Sequence, residues 1–173
     1  MVRPGDRAPA LEARGVCGRG EEMDVSLASL AGRWAVVFFY PRDFTVVCPT
    51  EILELSKRAR ELRDLSAEAI AISVDDVETH RRWIAERLGE VAFPLAADPD
   101  RVISQAWGAL LEAQGVAGRA TFLVDPRGVV RHACYHDLDV GRSISELLRV
   151  LEALQTGEKA PAEWRPGTPT LGR

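Results

Sequence analysis

The stretch Phe38-Phe39-Tyr40-Pro41-Arg42-Asp43-Phe44-Thr45-Val46-Val47-Cys48-Pro49-Thr50-Glu51 decides how this chain is read. Leading into it, residues 34–40 are almost wholly apolar and rich in β-formers, the pattern of a strand covered on both faces. Leading out of it, Ile52, Leu55, Ala59, Leu62 and Leu65 recur at helical spacing among arginine, lysine and glutamate, which predicts a one-sided helix over residues 51–65 packed on a sheet. Cys48 therefore falls at a helix start. The backbone N–H groups there lack helical partners and carry partial positive charge, which favours thiolate over thiol. Pro49 suits the first helical turn, and Glu51 stands three residues after Cys48, where a capping-box carboxylate would sit.

Working outward, strand and helix patterns alternate. Residues 14–22 carry three glycines and several charges and read as a turn or hairpin loop that contains Cys17. Residues 69–74 read as a buried strand, 77–88 as a helix, and 102–111 as a shorter helix after Asp98-Pro99-Asp100. The tetrad Asp125-Pro126-Arg127-Gly128 is a turn signal that joins residues 121–124 and 129–135 into an antiparallel hairpin. Ser143 opens a last helix through Leu154. The fold class is α/β, a central mixed sheet flanked by helices. One domain is expected over residues 1–156, followed by a tail over 157–173 whose proline and glycine content reads as flexible.

Composition narrows the function. The 173 residues carry a net charge of −4, and the arginines are scattered, so a nucleic-acid partner is not expected. No uncharged apolar run is long enough to span a bilayer and the first residues lack a secretory apolar core, which predicts a cytoplasmic protein without membrane attachment. Cys17, Cys48 and Cys134 are odd in number and widely spaced, so neither a disulfide framework nor a Cys-x-x-Cys metal site is expected. Cys134 with His132 and His136 forms an alternating set on one strand, a weak zinc pattern.

Pro41, Thr45 and Cys48 reproduce the Pro-x-x-x-Thr-x-x-Cys signature of the peroxiredoxins, and the chain resembles their alkyl hydroperoxide reductase C type, which includes the typical two-cysteine enzymes. The resemblance runs in order through Glu78-Thr79-His80-Arg81-Arg82-Trp83, Phe93-Pro94-Leu95, residues 119–125, Val140-Gly141-Arg142-Ser143, and 157–164. It implies a thioredoxin-like fold and a thiol peroxidase, without metal or flavin, acting on hydrogen peroxide and small organic hydroperoxides. It implies further that Cys48 is the nucleophile, that Arg119 stabilises thiolate and leaving oxygen, that Thr45 hydrogen-bonds the peroxide, and that Pro41 shields the sulfur. Glu51 and Arg142 are implied as support for the site. Core packing accounts for Trp83, and His80 receives no catalytic role, since a thiolate activated by a helix start and arginine needs no base. A thioredoxin-like or other thiol reductant, a homodimer and assembly into a decamer are also implied, with residues 158–164 reaching toward a partner subunit.

The chain departs from the two-cysteine pattern where a resolving cysteine would stand: Gly157-Glu158-Lys159-Ala160-Pro161-Ala162 has Ala160 at that position. The Cys48 sulfenic acid is then reduced by an external thiol, or Cys17 or Cys134 resolves it, with Cys17 ranked first as the thiol in a mobile loop. The overoxidation-prone Gly-Gly-Leu-Gly loop is replaced by Leu88-Gly89-Glu90-Val91, and no Tyr-Phe helix closes the chain. The alternative function is a peroxide sensor or holdase that uses the same oxidisable cysteine without turnover. A thiol-disulfide oxidoreductase is disfavoured, because Cys48-Pro49-Thr50-Glu51 has no second cysteine.

Overall fold

All 173 residues are described in the computed structural model of the chain. The first half runs β1 (Glu12–Gly18), β2 (Glu21–Ser26), a 3-10 turn (Leu27–Leu30), β3 (Trp34–Phe39), α1 (Cys48–Lys57), α2 (Ala59–Asp64) and β4 (Ala67–Ser73). Then come α3 (Val77–Trp83), continued by a π turn (Ile84–Leu88), β5 (Val91–Ala97), α4 (Val102–Ala106), the short β6 (Leu110–Leu111) and β7 (Val116–Ala117), β8 (Arg119–Val124), β9 (Val130–His136) and α5 (Ile144–Gln155). The chain divides into two compact units, Met1–Arg142 and Ser143–Arg173. That division falls ahead of the last helix, whereas the sequence reading groups this helix with the main domain.

The first unit is built on a seven-stranded sheet in the order β2-β1-β5-β4-β3-β8-β9. The central β3, β4 and β5 are parallel, while β1 runs antiparallel to β5 and β8 to β3, so the sheet is mixed. Because successive strand side chains face opposite ways, the adjacent phenylalanines of β3 divide the molecule. Phe39 enters an apolar core with Trp107 and Phe122, its ring edge-on to Phe122 at 6.0 Å between centroids. Phe38 faces the other way, where the Arg142 guanidinium lies 3.3 Å from its ring centroid. One face thus holds the core; the other holds a charged site at the end of β3.

Several expectations need correction. The helix over 51–65 is broken at Arg58, whose φ of −96° and ψ of 6° separate α1 from α2. The helix over 102–111 stops at Ala106; Gly108, at φ 66°, turns the chain, and Leu110 and Leu111 pair as strand with Val116 and Ala117. Cys17 lies in β1, not in a loop, and only Arg19 and Gly20 turn the hairpin. Strand β5 is not among the elements read from the sequence; in it Leu95 pairs with both Ala71 and Val16, so Pro94 sits inside the sheet.

The β8–β9 hairpin forms as the turn tetrad predicts: Gly128 N–H donates to the Asp125 carbonyl at 2.8 Å, and the Asp125 carboxylate accepts from Arg127 N at 2.9 Å and Val129 N at 3.0 Å. In the second unit, Ser143 caps α5 by accepting from Glu146 N at 3.1 Å. Its tail is not the loose segment that composition implies. Arg149 Nη1 donates to the Trp164 carbonyl at 3.0 Å, Trp164 Nε1 to that of Thr168 at 3.1 Å, and Lys159 and Gly172 bond through their backbones at 2.9 Å. None of the helices is long and apolar enough to cross a membrane.

Candidate active site

Cys48 is the first residue of α1, directly after Val47 at the cap, and has no exposed surface. No side chain caps this helix start, so Glu51 is not the capping carboxylate that its spacing predicts. Burial with two arginines holds it elsewhere. Arg119 Nη1 donates to Glu51 Oε2 at 2.6 Å; Arg142 donates to Oε1 through its backbone N at 2.8 Å and Nε at 2.9 Å, and to Oε2 through Nη2 at 3.0 Å. The same Arg119 Nη1 lies 3.4 Å from Cys48 Sγ, and its Nε is fixed on the Leu138 carbonyl at 2.8 Å. Arg142 Nη1 donates to the Ala120 carbonyl and to Thr121 Oγ1, both at 2.9 Å.

Two guanidinium groups thus enclose one carboxylate, leaving one positive charge beside the sulfur. Buried charge is tolerated when paired and hydrogen-bonded, and here every member is. Burial alone would raise Glu51, but the hydrogen bonds and charge of Arg142, with the charge of Arg119, outweigh it and hold the carboxyl below its ordinary range. Burial lowers Arg142, against the opposing pull of Glu51.

The loop from β3 to Cys48 carries the remaining signature residues. Pro41 is buried at its start. Thr45 is exposed, and its hydroxyl donates to the Arg42 carbonyl at 3.1 Å with no hydrogen bond to the sulfur. Its lone pairs are left free to accept. Phe44 adopts a φ of 55°, a left-handed conformation that costs a bulky residue about 1–3 kcal/mol and persists only where its neighbours are fixed.

They are fixed by a buried network that the sequence reading missed. Asp43 Oδ1 accepts from Tyr40 OH at 2.8 Å, Asp43 Oδ2 stands 2.7 Å from His80 Nδ1, and Asp43 N–H donates to Asp75 Oδ2 at 2.8 Å. Ser73 Oγ donates to the same Asp75 oxygen at 2.6 Å. Burial raises the Asp43 carboxyl, with the His80 hydrogen bond opposing. The ligating atoms of Asp43, Asp75 and His80 gather within 4.8 Å, but these hydrogen bonds already account for the cluster. No spacing rule joins residues 43, 75 and 80; only the strand–helix alternation that brings α3 beside the end of β3 does so.

The two other cysteines differ in place. Thr121 on β8 pairs with Cys134 on β9, so their side chains share the face of Arg119 and Arg142. Burial pushes the Cys134 thiol up, opposed by the Arg142 charge and by hydrogen bonding to Thr121. Cys17 lies three strands from β3, about 14 Å sideways at ordinary strand spacing. It also sits level with the start of β5, whereas Cys48 follows the opposite end of the parallel strands. Burial raises its thiol, and Glu21, Glu68 and Glu90 add to the rise. The structure therefore does not bring Cys17 to Cys48 within the chain, whereas Cys134 shares a sheet face with Arg119. His132, Cys134 and His136 alternate along β9 and form no clustered ligand set.

The AhpC/TSA family model matches residues 4–133. The chain belongs to the AhpC/TSA family. Among curated AhpC/TSA relatives, it is 43% identical to a peroxiredoxin of Cynops pyrrhogaster over 96% of this chain and 88% of that one. It is 44% identical to the mitochondrial thioredoxin-dependent peroxide reductase of Homo sapiens over 88% of this chain and 63% of that protein. Among solved structures, the reduced two-cysteine peroxiredoxin of Plasmodium vivax superposes with a TM-score of 0.92 at 32% identity, covering 98% of this chain and 92% of that one. The fold of this AhpC/TSA member is thioredoxin-like, as the sequence resemblance implies, and the protein is an enzyme of the peroxiredoxin type.

Proposed function

We propose that the protein reduces hydrogen peroxide and small organic hydroperoxides at Cys48 and is regenerated by a thiol. The observation that carries this reading is the 3.4 Å contact between Arg119 Nη1 and the sulfur at the first residue of α1. In this mechanism the Cys48 thiolate attacks one peroxide oxygen; the S–O bond forms as the O–O bond breaks, and the other oxygen leaves with the bonding pair and takes a proton. Arg119 stabilises the thiolate before the step and the leaving oxygen during it. Thr45 accepts the peroxide O–H, the role left to a hydroxyl whose own hydrogen is given to Arg42. Glu51 and Arg142 hold Arg119 in place, and Pro41 shapes the loop above the sulfur.

The product is Cys48 sulfenic acid. A thiol attacks its sulfur, water leaves, and the mixed disulfide is cleared by a second thiol. With Ala160 at the position of the usual resolving cysteine, the reductant in this reading is an external thiol of thioredoxin type, and Cys134 is the internal thiol best placed to intervene. The human relative is named as thioredoxin-dependent, which supports that partner class. A homodimer, with assembly to a decamer, is the accompanying expectation, which sedimentation tests. Peroxide consumption with thioredoxin and its reductase tests the function: turnover abolished by Cys48→Ser is expected. Stoichiometric oxidation without turnover would replace the enzyme reading with the sensor reading.

A further inference from the structure

Resting on the reading that Cys48 reduces peroxide, we infer that His80 is a positioning residue for that reaction, acting through Asp43 on the loop that carries Thr45. His80 and Asp43 have fully buried side chains, His80 Nδ1 stands 2.7 Å from Asp43 Oδ2, and in this inference Nδ1 carries the proton and donates to the carboxylate. His80 Nε2 has no partner, so the imidazole is held by this one bond and by Tyr40, whose hydroxyl oxygen lies 3.4 Å from Nδ1. An isolated buried nitrogen is a cost that a packing role would not require, since an apolar side chain would fill the same space. What the imidazole supplies is one aimed N–H.

That N–H meets Asp43, which is tied on three sides: to Tyr40 at the end of β3, to His80 in α3, and through its backbone N–H to Asp75. The next residue, Phe44, takes the left-handed conformation, and Thr45 and Cys48 follow. Arg82, from the same helix as His80, places its guanidinium carbon 5.6 Å from the Phe44 ring centroid. The loop is thus anchored by α3 at Asp43, immediately before its turn, and at Phe44, in the turn itself. Releasing Asp43 frees the turn and moves Thr45, while Arg119 and Glu51, anchored on other elements, keep the sulfur's surroundings.

The inference predicts a split between two reactions of one sulfur. Stopped-flow rates of Cys48 with hydrogen peroxide and with iodoacetamide are compared in the full chain, its His80→Ala variant and its His80→Asn variant, whose amide N–H stands near the original Nδ1. His80→Ala is expected to slow the peroxide reaction about 10- to 100-fold, the scale of a misplaced reacting group. Iodoacetamide, which needs the thiolate but not Thr45, should react as before, and His80→Asn should restore the peroxide rate. An unchanged peroxide rate in His80→Ala, equal losses in both reactions, or no rescue by His80→Asn overturns the inference. If His80→Ala fails to fold, Tyr40→Phe, which removes another hydrogen bond to Asp43, is read in the same two assays: selective peroxide loss supports the inference and unchanged rates overturn it. Failure of the reading that Cys48 reduces peroxide is separate, since wild-type Cys48 would then react with peroxide no faster than an ordinary thiol.

Discussion

Arg119 Nη1 stands between the Cys48 sulfur, 3.4 Å away, and the Glu51 carboxylate, 2.6 Å away, so one nitrogen serves both an anion and a nucleophile. Removing the guanidinium leaves Glu51 to Arg142 alone and strips the sulfur of its nearest cation. Arg119→Ala should slow Cys48 oxidation by about 10²–10³-fold, the usual loss for one aimed donor. Arg119→Lys keeps the charge but not the fork and should fall between the two. Stopped-flow tryptophan fluorescence follows both.

Glu51 joins the two arginines, and its loss leaves two buried guanidinium groups facing each other. Glu51→Gln should destabilise the protein by about 3–5 kcal/mol, the range for breaking a buried pair from one side. Urea unfolding measures this.

The same carboxylate sets an acid limit. Its folded pKa lies below the unfolded value of about 4.3, so its contribution is fully present above that pH and is lost as pH falls through the lower folded value. Unfolding midpoints of the wild type should therefore drop across that acid window, and Glu51→Gln should flatten this part of the profile. A drop of equal size in the variant would assign the acid sensitivity to other groups.

Cys48 has no exposed surface, so access depends on reagent size. Hydrogen peroxide and short-chain hydroperoxides should oxidise it faster than an aromatic hydroperoxide such as cumene hydroperoxide. Competition kinetics with the three substrates gives the order directly.

Cys17 is removed from Cys48 both sideways and along the sheet, whereas Thr121 and Arg142 link the Cys134 side to Glu51 and Arg119. Cys17→Ser should leave peroxide turnover unchanged with any thiol reductant. If an internal disulfide accumulates when reductant is withheld, Cys134→Ser should abolish it.

Local order was most readable where one periodicity held without interruption. The run into β3, the Asp125–Gly128 turn and the Ser143 cap each state their structure within a few residues, and the helix start at Cys48 follows from the change of period beside Pro49. The break at Arg58 has no glycine or proline to announce it; the apolar spacing continues through it, so one helix was read where there are two. Strand β5 is absent from the sequence reading; Pro94, a residue without an N–H, interrupts its apolar run and weakens the strand pattern.

The site divides along the same line. Cys48 and its arginines were legible through a family signature, but the geometry of Glu51 was not: a residue three positions after a helix start reads as a cap, and only the arrival of Arg119 from β8 and Arg142 from beyond β9 turns it inward. Asp43, Asp75 and His80 come from three separate segments, and no local pattern joins them. The alternation of side chains on β9 allowed two faces for Cys134, and pairing with Thr121 selects the one toward the site.

The most direct measurement is peptide mapping by mass spectrometry after the reduced protein meets one equivalent of hydrogen peroxide, with remaining thiols blocked only afterward. The account predicts that the oxidation lies on Cys48, as one added oxygen or as a cross-link that includes it, while Cys17 stays reduced. Oxidation at Cys17 or Cys134 with Cys48 recovered intact would contradict it.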